Sequence, residues 1–189
     1  MTTAFLVSTF VVAIAEIGDK TQLLSLLLAA RFRKPVPIIV GIAVATLANH
    51  AAAAWLGEWV RELLGPEALR WVIGISMIAI GAWALRPDRL EDRYQQQGRW
   101  GVFAVTCVLF FLVEIGDKTQ IATVVLAAQY HALVAVVLGT TSGMLLANAP
   151  VVVYAHRFSD RIPLKQVRIA AAALFAVLGV LALAGVGVA

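Results

Sequence analysis

Glu16-Ile17-Gly18-Asp19-Lys20-Thr21-Gln22 lies in the middle of a long apolar stretch, and the same seven residues return as Glu114-Ile115-Gly116-Asp117-Lys118-Thr119-Gln120, 98 residues later. Around both copies the chain is almost free of charge. Uncharged runs of about 18 or more residues read as membrane-spanning helices. The spacing of such runs predicts six spans, roughly 4–30, 36–57, 69–86, 101–128, 132–155 and 168–188. The expected fold class is therefore an all-α polytopic membrane protein.

Composition supports this reading. Of 189 residues, 61% are hydrophobic and 14% charged, with a mean hydropathy of +0.90. Soluble domains average about 45–50% apolar and about 25% charged residues. The single cysteine, Cys107, falls inside an apolar run, which excludes a disulfide framework and a cysteine-based metal site. Met1–Phe10 has no Lys or Arg, so it lacks the charged region of a cleavable signal peptide, and the first helix is expected to stay.

The repeat extends beyond the motif. Ala29-Ala30 and Ala127-Ala128 share its offset, as do Gly41 and Gly139. Gly41-x-x-x-Ala45 then corresponds to Gly139-x-x-x-Gly143, a small-residue pattern that lets helices approach closely. The expected organisation is a three-helix repeat over 1–86, a cytoplasmic linker over 87–100 and a second three-helix repeat over 101–189. With three spans per half, the second copy enters the membrane from the opposite side. Such inverted-topology repeats place a substrate site near the midplane, where the halves meet.

Basic residues mark the expected orientation. The connections after spans one, three and five hold Arg31, Arg33, Lys34, Arg86, Arg89, Arg93, Arg99, Arg157, Arg161, Lys165 and Arg168. The opposite side holds only Arg61 and Arg70. The positive-inside rule puts the first set in the cytoplasm and both termini outside. The sequence pI of 9.6 is thus a topology signal on a lipid bilayer rather than a nucleic-acid footprint.

The motif itself carries the chemistry. Each Asp, Glu or Lys at a bilayer centre costs about 2.5–3.5 kcal/mol, and six facing lipid would cost on the order of 15 kcal/mol. They must face one another. Glu16 and Asp19, like Glu114 and Asp117, are three apart, which places each pair on one face of a continuous helix. Joining the halves would gather these four carboxylates into a metal site. Oxygen-only ligation suits calcium, magnesium and manganese, and without Cys or His the motif does not read as a zinc or copper(I) site. Four carboxylates and two lysines leave two negative charges, matched by one divalent cation or two protons. Desolvation and mutual repulsion favour protonated carboxyls, so a site of this kind is suited to exchanging a metal ion for protons.

Other residues have supporting readings. Lys20 and Lys118 follow the Glu residues by four positions, the spacing of an intrahelical ion pair that tunes the charge, with proton coupling as the alternative. Gly18 and Gly116 serve either close packing or helix unwinding. Thr21 and Thr119 point away from the carboxylate face of a straight helix. Gln22, Gln120, Asn49 and Asn148 are candidate auxiliary ligands, the asparagines also suiting interhelical hydrogen bonds. His50 has no evident counterpart in the second half and reads as structural.

The paired E-x-G-D-K-T motifs, Glu16–Thr21 and Glu114–Thr119, resemble the signature of the Gdt-type family of cation/proton antiporters. That family includes the Golgi manganese/calcium transporter, chloroplast relatives and bacterial manganese exporters. The resemblance covers essentially the whole chain. It implies that Glu16, Asp19, Glu114 and Asp117 bind the cation and sense protons, and that manganese, or calcium, leaves the cytosol in exchange for protons. The short linker is similar to the bacterial members, which implies manganese efflux across a bacterial inner membrane. Mn2+ or Ca2+ is cargo, and no prosthetic group is expected.

Two other readings stand beside this one. An exporter of a small organic cation or amino acid would use a roomier, less charged pocket. A non-transporting membrane scaffold would not need six matched ionisable residues. An enzyme is not expected, because no nucleophile–His–acid set and no phosphate loop is present. Monomer and homodimer both fit a six-helix chain.

Overall fold

The computed structural model describes residues 1–86, 101–154 and 164–185. The expected linker over 87–100 lies outside the described residues, as do Arg157 and Arg161. Among the described residues there are eight α-helices and no strand. They are α1 (Thr2–Glu16), α2 (Lys20–Phe32), α3 (Pro35–Leu63), α4 (Pro66–Ala84), α5 (Val102–Glu114), α6 (Lys118–Tyr130), α7 (Leu133–Val153) and α8 (Leu164–Leu183).

These helices fall on the six expected apolar segments, with one correction. The segments 4–30 and 101–128 are not continuous helices; each is broken inside its motif, between α1 and α2 and between α5 and α6. Pro35–Leu63, Pro66–Ala84 and Leu133–Val153 are each long and apolar enough to cross a membrane. Thr2–Glu16 and Lys20–Phe32 qualify only as a pair, bent by 70° at the break. Val102–Glu114 and the apolar part of the last helix, Ile169–Leu183, are shorter.

Local chemistry sets several ends. Pro35 and Pro66 occupy first-turn positions, where their missing N–H is not needed. The α2 and α6 helices end alike: Arg33 (φ 51°) and His131 (φ 46°) are left-handed C-caps, and their N–H groups donate to Ala29 O and Ala127 O. These positions share the motif's offset, so the backbone repeats even where the side chains do not. The α3 helix runs beyond the expected 36–57 to Leu63, because Glu58, Arg61 and Glu62 end an apolar run without ending a helix. Arg61 then donates to Ala128 O at 2.9 Å, capping the last turn of α6.

Packing crosses between the halves. The α1 helix lies against α7, α5 against α3, and α4 against α8; α2 packs on α7 as α6 packs on α3. Small residues make these approaches close, as the sequence pattern predicts. A Cβ on Gly143 would stand 2.5 Å from Thr9 O, and one on Gly139 2.6 Å from Phe5 O. On the matched face, a Cβ on Gly41 would meet Thr106 Cβ at 2.7 Å. The outer surface is apolar, with Phe10, Ile75, Val177 and Val180 exposed, and Trp55, Trp59 and Trp71 stand out near the α3–α4 turn. Interfacial tryptophans of this kind are a feature of membrane proteins.

Gly143→Val drives a side chain into the α1 backbone and is expected to cost about 1–3 kcal/mol through overpacking. Unfolding in detergent measures it. Gly65→Ala, at the N-cap of α4 where a Cβ meets nothing within 4 Å, serves as the control and should lower the midpoint far less.

Candidate metal centre

Each motif is a helix break with the same construction. Glu16 is the last residue of α1, Ile17 is extended (φ −65°, ψ 116°), Gly18 has φ 81°, and Asp19 caps the start of α2. Glu114, Ile115 (φ −61°, ψ 121°), Gly116 (φ 74°) and Asp117 repeat this sequence between α5 and α6. Positive φ is the reason for glycine at the third position. Asp is the natural residue at the fourth, because an N-cap carboxylate satisfies a free N–H and suits the positive end of the helix dipole. A turn closes each break, with Asp19 N donating to Glu16 O and Asp117 N to Glu114 O, both at 3.0 Å. Of the two readings open for Gly18 and Gly116, the structure takes unwinding.

Glu16 and Asp19 therefore do not share a helical face, nor do Glu114 and Asp117; the turn brings each pair together instead. Glu16, Asp19, Glu114 and Asp117 are all buried. Carboxylate oxygens of Glu16, Asp19 and Asp117 lie within 4.8 Å of one another, drawing on both halves of the chain. Glu114 borders this trio: Thr119 Oγ1 links it to Asp117, and its Oε2 is 3.7 Å from His50 Nε2.

The lysines correct a spacing argument. Lys20 Nζ lies 2.8 Å from Asp117 Oδ1, and Lys118 Nζ lies 2.7 Å from Asp19 Oδ2. Each lysine thus pairs with the aspartate of the other motif rather than with the glutamate four residues before it. The helix break removes the i,i+4 geometry on which the intrahelical pair depends. Lys20 keeps 22% side-chain exposure, whereas Lys118 keeps 3%.

The same break turns the threonines inward. Thr21 Oγ1 donates to Glu16 Oε2, and Thr119 Oγ1 donates to Glu114 Oε2 at 3.3 Å and Asp117 Oδ2 at 3.2 Å. Facing away from the carboxylates was a property of a straight helix that does not exist here. Gln22 and Gln120 bind their own breaks: Oε1 accepts from Gly18 N at 2.9 Å and from Gly116 N at 2.7 Å. Their amides reach the facing half, Gln22 donating to Ala147 O at 3.1 Å and Gln120 to Asn49 Oδ1.

Both asparagines make the interhelical bonds expected of them. Asn49 Nδ2 donates to Phe111 O at 3.3 Å, and Asn148 Oδ1 accepts from Ser25 Oγ at 2.7 Å. Ser25 is a site residue that sequence reasoning passed over. Its signal was the offset, for Thr123 occupies the matched position in the second half. The offset also pairs His50 with Asn148, which gives His50 the counterpart it lacked by residue type.

Three converging carboxylates and two cross-linked Lys–Asp pairs form a compact, nearly dry, oxygen-rich site. Glu16 Oε1 and Glu114 Oε1 are buried without a hydrogen-bond partner, and buried polar atoms of this kind are rare unless a ligand or proton completes them. Removing one member of a buried ion pair leaves its partner uncompensated. Lys118→Met is expected to destabilise the protein by about 3–5 kcal/mol and by much less in an Asp19→Asn background. A double-mutant unfolding cycle in detergent reads the difference, and a matching Lys118–Glu114 cycle should show little coupling.

Comparison with known proteins agrees with this geometry. The chain matches the profile of the family described as "Divalent cation/proton antiporter GDT1" over residues 4–92 and 102–187. It is 54% identical over 170 residues to a Vibrio cholerae protein named "Putative manganese exporter", covering 89% of this chain and 84% of that one. It is 26% identical over 199 residues to a "GDT1-like protein" of Synechocystis, covering 93% of this chain and 94% of that one. A rice protein, "GDT1-like protein 4", is 27% identical over 84% of this chain and 65% of its own length. No solved structure matches. With the family profile covering both halves and both motifs, this chain belongs to the GDT1 family of divalent cation/proton antiporters.

Proposed function

We propose that this protein exports manganese(II) from the cytosol in exchange for protons. The observation that carries the proposal is the meeting of Glu16, Asp19 and Asp117 from two broken helices, buried and within 4.8 Å of one another. Hard divalent cations take carboxylate oxygens, and calcium is the alternative cargo on that ground. The 54% identical relative named for manganese export favours manganese.

Exchange follows from competition for the same oxygens. Across four carboxylates and two ammonium groups the site carries two negative charges, so one divalent cation or two protons bring it to neutrality. A metal ion arriving from the cytosol displaces protons from the carboxyl groups; protons arriving from an acidic exterior displace the metal ion. Lys20 and Lys118 hold Asp117 and Asp19 in place and set how many protons the cluster takes up. Gly18 and Gly116 keep the helices broken, so that helix ends rather than helix sides face the ion.

The proposed frame is six spans, α1–α2, α3, α4, α5–α6, α7 and α8, arranged as two inverted three-span repeats over 1–86 and 101–189. The crossed packing of α1 on α7 and α5 on α3 supports it, since each half supplies the same contact to the other. With the basic connections in the cytoplasm, both termini lie outside the inner membrane.

Manganese efflux from proteoliposomes containing the full chain tests the proposal. Flux is expected to rise when the receiving side is acidified. Glu16→Gln and Asp117→Asn should each lower it by more than about tenfold. Flux that ignores an imposed proton gradient overturns the exchange, and flux unchanged in both variants overturns the site.

A further inference from the structure

Glu114 is the carboxylate at the edge of the trio, joined to Asp117 through Thr119 Oγ1, and on its other side is His50. His50 lies fully buried on α3, and neither ring nitrogen has a hydrogen-bond partner. Its Nε2 is 3.7 Å from Glu114 Oε2, too far for a hydrogen bond. Two donors each about 2.1 Å from a shared ion lie roughly 3–4 Å apart. The remaining oxygen, Glu114 Oε1, is also buried and unpartnered. A packing histidine would be hydrogen-bonded, since a dry, unsatisfied imidazole is unfavourable.

The matched position in the other half shows what a purely structural residue looks like here. Asn148 on α7 is bonded throughout: Oδ1 accepts from Ser25 at 2.7 Å, and Nδ2 donates to Met144 O at 3.1 Å. The second half therefore closes this position with hydrogen bonds, and the first half leaves it open with a ligand-capable ring.

We propose that His50 Nε2 and Glu114 form a mixed nitrogen–oxygen station for the transported ion, selecting a transition-metal cation over calcium and magnesium. The inference rests on the antiporter reading and adds to it the residue that sets cargo class. Calcium and magnesium take oxygen ligands almost exclusively, whereas imidazole suits transition metals. The carboxylate trio does not make that distinction; one nitrogen donor does. The station adjoins the trio, because Glu114 and Asp117 close the same turn, Asp117 N donating to Glu114 O at 3.0 Å.

Pulsed electron paramagnetic resonance on the purified full chain loaded with manganese(II) tests the ligand directly. Nitrogen modulation of the manganese signal is expected, changing with 15N-histidine labelling and absent in His50→Asn. The chain has three histidines, so the variant assigns the signal. In proteoliposomes, H50N is expected to lower the manganese-to-calcium flux ratio by about tenfold. No nitrogen modulation in the wild type, or its persistence in H50N, overturns the station even if the variant folds poorly. A wild type that carries manganese with a ratio unchanged in H50N overturns this inference alone. A wild type that carries neither ion overturns the antiporter reading, and this inference with it.

Discussion

Charges that cannot reach water must neutralise one another, and in this protein they do so across the two halves of the chain. Lys20 pairs with Asp117 and Lys118 with Asp19, so neither motif is balanced without the other. An unpaired charge in an apolar interior is among the most unfavourable features a fold can contain. The crossed pairs therefore tie the α1–α2 break to the α5–α6 break. The rest of the packing follows, with α1 held on α7 by contacts close enough to require glycine at 139 and 143, and α5 on α3 by one that requires glycine at 41.

A second constraint shapes each motif locally. A helix broken inside an apolar bundle frees backbone N–H and C=O groups that lipid cannot satisfy. Every polar residue of the heptapeptide answers that need or contributes to the cluster. Asp caps the new helix, Gln accepts from the glycine N–H, and Thr donates to the Glu carboxylate. The positive ends of α2 and α6 are thereby turned toward the carboxylates, where a helix N-terminus favours negative charge. The motif is best read as a description of a helix break that collects carboxylates, which explains why all its polar positions recur together.

The halves match in backbone more closely than in side chains. Arg33 and His131 adopt the same left-handed cap, yet one is a strong cation and the other pairs with Glu58 at 2.6 Å. Asn148 and His50 stand at matched positions with different bonding. Lys20 is partly exposed while Lys118 is buried. A site built from two copies of one motif is thus not symmetric in its chemistry, and the differences lie mostly outside the motif.

Composition and run length were sufficient to identify the six apolar segments, since hydropathy is a local property of consecutive residues. The repeat and its offset were equally legible, as were the identity of the acidic residues and the close approach at Gly41, Gly139 and Gly143. What could not be read was the break. Gly18 and Gly116 fit an intact helix or an unwound one, and only the surrounding bundle decides which is lower in free energy. From that decision came the errors over Lys20, Lys118, Thr21 and Thr119, whose directions had been drawn on a straight helix. Partners such as Asp117 for Lys20 and Ser25 for Asn148 are about 100 residues or more apart in the chain. Sequence determined which charges are buried; tertiary structure alone determined which charge neutralises which, because that depends on where two distant helix breaks meet.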